Sequence, residues 1–142
     1  MKITFLMAIE DRIWNMKKAA ELVDSRYPGL IDAEYFSVWD LAVHTEKIPQ
    51  MELAAKGSDF VFVYFHGGAQ SLPDFHLIWK QFAGRPVYFE SSIPEELAEL
   101  MPTSGLTPEQ YKVMNSYFSL GTPENYASMM QYIAWPYFDI SR

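Results

Sequence analysis

The sequence predicts an α/β domain: an open parallel sheet of four strands in the order 2-1-3-4, with helices on both faces and a C-terminal helical pair. Three observations predict it. Residues 58–70 open polar, run through six consecutive aromatic or β-branched residues (Phe60, Val61, Phe62, Val63, Tyr64, Phe65), and break at Gly67-Gly68. A run of that type and length reads as a strand buried on both faces, which belongs to a parallel sheet. Apolar runs of strand type alternate with segments of helical periodicity, the pattern of βα units. Finally, 142 residues, 49% hydrophobic and 16% aromatic, suit one domain with a packed core.

The elements follow in chain order. Residues 3–9 are almost wholly apolar and form a central first strand; Glu10-Asp11-Arg12 turns out of it. From Asp11 the period becomes helical, with Ile13, Met16, Ala20 and Val23 on one face, and Tyr27-Pro28-Gly29 stops the helix. Residues 31–39 are the second strand, and its Asp32, Glu34 and Ser37 suit an edge with one wetter face. Residues 44–56 read as a helix whose start Pro49 moves to Lys47 or Ile48 and which Gly57 ends. After the third strand a helix starts with Ser71 as N-cap and with Pro73 and Asp74 in its first turn. Its face is Phe75, Ile78, Trp79 and Phe82, and Gly84 ends it. Residues 86–90 are the fourth strand, and Ser91-Ser92 cap a short helix over residues 94–101.

Beyond Pro102 the pattern is helical only. Thr107-Pro108-Glu109-Gln110 forms a capping box with proline at the first helical position, and Thr122-Pro123-Glu124 starts a second helix in the same way. Tyr111, Met114 and Phe118 face inward on the first; Tyr126, Met129, Met130 and Ile133 do so on the second, which Pro136 ends. The tail Trp135-Pro136-Tyr137-Phe138 is too apolar for a free end. It suggests a tail that packs back, a second subunit, or a chain that is the N-terminal fragment of something longer. Residues 1–142 otherwise form a single domain, and the order 2-1-3-4 with right-handed crossovers is that of flavodoxin-like folds.

Charge and composition exclude several functions. A formal charge of −7 and a pI near 4.8 argue against nucleic acid and anionic membrane surfaces. The absence of cysteine removes disulfide scaffolds, thiolate metal sites and a cysteine nucleophile, and fits a cytoplasmic protein. The short apolar start closes at Glu10-Asp11 without a small-residue cleavage site, so it reads as a strand and not a signal peptide. No apolar stretch is long enough to span a bilayer.

In the order 2-1-3-4 the topological switch point lies between strands 1 and 3, where such sheets bind ligands. The candidate ligand-facing loop there comprises Glu10, Asp11 and Arg12 after strand 1, and His66, Gly67, Gly68 and Gln70 after strand 3. Glu10, Asp11 and His66 could contact a small ligand or metal ion. Alternatively, Asp11 caps the first helix, Glu10 is solvated and His66 bonds a loop carbonyl. Gly67-Gly68 before a helix could cradle a phosphate. However, no lysine or arginine is near in sequence, and Asp74 takes the positive helix end. Neither a Walker motif nor a G-x-G-x-x-G is present, so the glycines read as a tight turn. His44 and His76 stand alone, and no G-x-S-x-G elbow exists. The methionines and the four tryptophans, Trp14, Trp39, Trp79 and Trp135, are expected in the core, with an aromatic patch on the last two helices as a partner surface. No catalytic, cofactor-binding or metal-ligating residue is assigned.

Three stretches together carry a family resemblance: the apolar first strand with its acidic turn, the strand of residues 59–68 with its His-Gly-Gly ending and a helix bearing Pro73, and residues 117–125, Tyr-Phe-Ser-Leu-Gly-Thr-Pro-Glu-Asn. In these the chain resembles the N-terminal portion of the cobaltochelatase large subunit, a family shared with the magnesium chelatase H subunit. Thr122 stands where family members often have glycine. The resemblance implies ATP-dependent insertion of cobalt into a corrin-type tetrapyrrole in cobalamin biosynthesis, with ATP hydrolysis in separate motor subunits and the remaining domains of the same large subunit as partners. It implies a head domain with no cofactor of its own and no catalysis alone. The alternative is a free-standing flavodoxin-like small-ligand-binding or signalling domain. A flavin site needs a Ser/Thr/Gly-rich phosphate loop where Glu10-Asp11-Arg12 stands, a receiver domain needs an aspartate where strand 3 ends in Phe65-His66, and a small hydrolase using His66 lacks a nucleophile.

Overall fold

Apolar runs become strands where the pattern places them. In the computed structural model, which describes residues 1–140 and side chains through residue 135, β1 (Lys2–Met7), β2 (Asp32–Ser37), β3 (Phe60–Phe65) and β4 (Val87–Ser91) form one sheet ordered β2-β1-β3-β4. Every pairing is parallel. β3 is buried along its whole length, as its unbroken apolar run requires, whereas β2 at the edge has no fully buried residue and exposes Asp32 and Glu34.

Register produces a feature that composition only hints at. Tyr35, Phe5, Phe62 and Tyr88 are direct neighbours on successive strands. Their rings form a row across the sheet with centroids 5.2, 5.5 and 5.0 Å apart. The strand period of two puts Tyr64 and Glu90 on this same face, and Val63, Phe65 and Phe89 on the other. At the outer end of the row, the buried Tyr35 hydroxyl finds no partner among the described residues. Burial, with Glu21 nearby, pushes it up to about 12, so it stays protonated.

Helices cover both faces. They are α1 (Glu10–Arg26), α2 (Val38–Val43), α3 (Ile48–Lys56), α4 (Phe75–Gln81), α5 (Pro94–Leu100), α6 (Pro108–Leu120) and α7 (Pro123–Ile140). α6 lies on the aromatic row, with the Phe118 ring 5.2 Å from Phe62. α7 packs along both α1 and α6. It does so through Tyr126, Met129, Met130 and Ile133, the four residues that its periodicity points inward, all buried. On the other face Phe75 of α4 meets Phe65 at 4.8 Å and Phe89 at 6.0 Å. The capping box at Thr107 and Gln110 forms in full, and Gly121 ends α6 in the left-handed conformation.

The free side of β4 is covered by α6 and the loop before it. The Tyr111 hydroxyl accepts from the Phe89 N–H at 2.9 Å and donates to the Phe89 carbonyl at 3.2 Å. Val87 N–H donates to the Ser104 carbonyl at 2.8 Å. Tyr111→Phe therefore strands a buried backbone donor and acceptor, and should lower stability by about 1–3 kcal/mol in urea unfolding. A change within 0.5 kcal/mol, as expected of an ordinary surface substitution, would argue against this role.

Several expectations need correction. β1 ends at Met7, because Ile9 takes a positive φ of 57° and starts α1 with no side-chain cap. The second strand stops at Ser37, whose hydroxyl accepts from Asp40 N–H and caps α2. Ser71 lies in a 3-10 turn and caps nothing, and α4 begins after Asp74, itself left-handed. Ile93 occupies the N-cap of α5, leaving Ser91 and Ser92 for other bonds. α7 continues through Pro136, since a proline forfeits one backbone bond without forbidding the helix. Trp14, Trp39 and Trp135 are 61%, 65% and 58% exposed, and among the tryptophans only Trp79 packs inward. Trp39 turns outward because α2 replaces the end of the expected strand, and Trp14 lies off the buried face of α1 beneath Lys18. The side chains of the apolar tail, residues 136–138, lie outside those described.

Candidate functional site

The loops after β1 and β3 reach the C-terminal edge of the sheet as the topology demands, but they deliver different residues than charge alone suggests. Glu10 and Asp11 are exposed in the first turn of α1, and Asp11 caps nothing. His66 is exposed and makes no hydrogen bond from its ring to the described residues. No metal-ligating group of three or more His, Asp or Glu forms among the described residues, so Glu10, Asp11 and His66 do not gather as one.

Arg12 is the residue of that turn which points inward. Its Nη1 donates to the Phe118 carbonyl at 3.2 Å and to the Tyr126 hydroxyl at 2.9 Å. The guanidinium carbon sits 5.3 Å from the Tyr64 ring centroid and 4.7 Å from that of Phe118, within cation–π range. One turn on, Asn15 Nδ2 donates to the Gly121 carbonyl at 3.3 Å. The start of α1 is thus tied to the end of α6. Burial raises the Tyr126 hydroxyl, and its bond and proximity to Arg12 act against that rise.

A polar pocket of about 180 Å³ lies beside this cluster, lined by Arg12, Tyr64, Glu90, Ser91, Ser92, Phe118 and Ser119. Register brings Glu90 there, since it pairs with Tyr64 at the end of β4. Glu90 Oε2 accepts from the Tyr88 hydroxyl at 2.6 Å and from Asn115 Nδ2 at 2.8 Å. Tyr88 is held well above the ordinary tyrosine range, first by burial and then by the Glu90 charge, so its hydroxyl remains a donor.

The Gly67-Gly68 turn is occupied by the protein itself. Gly67 N–H donates to Ser92 Oγ at 3.3 Å, and Gln70 Nε2 returns to the Gly67 carbonyl at 2.9 Å. Ala69 N–H donates to both oxygens of Glu96, each at 3.0 Å, and Ser91 Oγ donates to Glu96 Oε1 at 2.6 Å. A carboxylate from α5 therefore takes up the Ala69 N–H, and both glycines of the turn have positive φ. Gly68 is buried at φ 120°, a conformation reserved for glycine.

Sequence reasoning missed Glu90, Glu96, Ser119 and the inward turn of Arg12. Glu90 alone had a signal: it is the single carboxylate closing a short, otherwise apolar strand. A second cavity, apolar and of about 640 Å³, opens at the opposite edge of the sheet, where Phe60, Leu106, Met114, Tyr117, Tyr132 and Trp135 are among its lining. Tyr117 and Tyr132, half-buried against the core, form a ring pair there, 6.4 Å apart. Among the described residues no helix is long and apolar enough to cross a membrane. No family model matches the chain, and no curated protein matches it either.

Proposed function

We propose that the chain is the N-terminal head domain of the large subunit of an ATP-dependent metal chelatase, acting in the cytoplasm on the insertion of cobalt into a corrin-type tetrapyrrole. One observation carries the reading beyond the sequence resemblance: the three stretches behind that resemblance, far apart in the chain, converge on one edge of the sheet. Arg12, after the first strand, bonds Phe118 of the late segment and lies over Tyr64 of the third strand. Gly67 of the His-Gly-Gly turn bonds Ser92, which lines the same pocket as Arg12 and Ser119. Residues that meet in this way form one surface, and one surface is what a shared role asks of them.

On this reading the domain helps to enclose or recruit the macrocycle, and its final helices contact the remaining domains of the large subunit. Cobalt and the tetrapyrrole are substrates of the parent complex. ATP is hydrolysed by separate motor subunits, in keeping with a sequence that carries no P-loop.

The test is metal insertion followed by visible absorbance. The isolated chain, given cobalt, a metal-free corrin-type macrocycle and ATP, should insert no metal. Supplied in trans to a chelatase complex whose large subunit lacks its head, it should restore insertion. Insertion by the chain alone, or no restoration, would sink the assignment. The free-standing flavodoxin-like alternative predicts tight FMN binding, read as quenched flavin fluorescence. The acidic Glu10-Asp11 turn after β1, where a flavin phosphate loop would have to stand, argues against it.

A further inference from the structure

We propose that the polar pocket anchors a small carboxylate bearing a hydrogen-bond donor on the neighbouring carbon, the hydroxyl or ammonium of a 2-hydroxy or 2-amino acid end. The inference rests on the groups that the fold leaves unmatched there, and it stands whether or not the domain belongs to a chelatase. Arg12 spends only Nη1 on the protein. Its Nε and Nη2 meet no acceptor, and it joins no ion pair, among the described residues. The two rings beside it and its two bonds hold the guanidinium in place, so little motional freedom remains to be lost on binding. A planar fork with free N–H groups matches a carboxylate in a bidentate manner.

Glu90 supplies the second half of the recognition. Its Oε2 takes two donors, whereas its Oε1 takes none among the described residues. An acid that carried only negative charge would meet Glu90 as a repulsion. One with a hydroxyl or ammonium next to the carboxylate can place that donor on Oε1. Phosphate is disfavoured by charge: at neutral pH much of it is the dianion, whose greater charge is set against Glu90.

Size limits the ligand further. A pocket of about 180 Å³ holds roughly six water-sized groups at about 30 Å³ each. It is therefore an end-group site, suited to a free acid of lactate size or to one arm of a larger molecule.

Titration followed by amide chemical shifts of Gly67, Ser92 and Ser119 tests this, with L-lactate, L-alanine, propionate and inorganic phosphate as probes. Lactate or alanine should saturate with a Kd on the order of 1 mM. Propionate should bind about 5-fold more weakly for want of one hydrogen bond, and phosphate more weakly than lactate. Arg12→Lys keeps the charge but loses the fork, and should weaken lactate about tenfold. Glu90→Gln should bring the lactate and propionate affinities together. Should Arg12→Lys fail to fold, Glu90→Gln and the probe ranking decide alone. Absence of saturable shifts with lactate and alanine, propionate binding equally well, phosphate binding more tightly, or a folded Arg12→Lys that binds as before would each overturn the proposal.

Discussion

Replacing Phe62 by alanine should remove about 3–5 kcal/mol of stability, the largest loss expected from a single side chain in this protein. Phe62 is fully buried in the middle of β3. Its ring contacts Phe5 on one side, Tyr88 on the other and Phe118 above. A cavity there is bounded by three strands and a helix whose own rings are held in register, so little can relax into it. Domains of this kind have about 5–15 kcal/mol in total. The variant should thus show a urea midpoint far below that of the parent with an unchanged slope. A loss under 1 kcal/mol would mean that the row of rings contributes less than its geometry indicates.

Gly68→Ala should cost about 2–4 kcal/mol, and here backbone and packing act together. At φ 120° an alanine is strained whatever surrounds it. A Cβ at this position would also stand 2.5 Å from Ile93 Cδ1 and 2.5 Å from Gln70 Oε1. Both atoms end flexible side chains, so relief comes from Ile93 and Gln70 swinging aside, which puts the Gln70 bond to the Gly67 carbonyl at risk. Gly67→Ala separates the two causes. Gly67 also has a positive φ, 98°, but a Cβ there meets nothing within 4 Å, so only strain of about 1–3 kcal/mol is expected. Denaturation of both variants gives the comparison, and equal losses would dismiss the close approach of Ile93 as a cause.

Local signals were legible in the sequence and distant ones were not. The third strand, the Thr-Pro-Glu helix start at residue 122 and the Thr107 capping box depend on neighbours a few residues apart, and all appear as expected. Ser37 shows how a local signal is misread: a strand-like run of Tyr, Phe, Val and Trp surrounds it, and only its bond to Asp40 N–H turns the chain into α2. At the site, the turn of Gly67 and Gly68 could be read, but the carboxylate that fills it comes from Glu96, and Ala69 lies 27 residues away from it. Arg12 is harder still, because its acceptors Phe118 and Tyr126 lie 106 and 114 residues further on. The acidic neighbours Glu10 and Asp11 drew attention by charge, yet the helix turns them to solvent and the cation inward.

The hydroxyl of Tyr111 has a consequence for how this sheet can grow. With both polar groups of Phe89 bonded to it and Val87 bonded to Ser104, a strand approaching β4 meets a margin whose hydrogen bonds are already made. Extension past β4 is thereby disfavoured. At the other edge of the sheet, a strand from another molecule approaching β2 would meet the exposed Asp32 and Glu34, which favour a basic segment and repel a second acidic copy of the same edge.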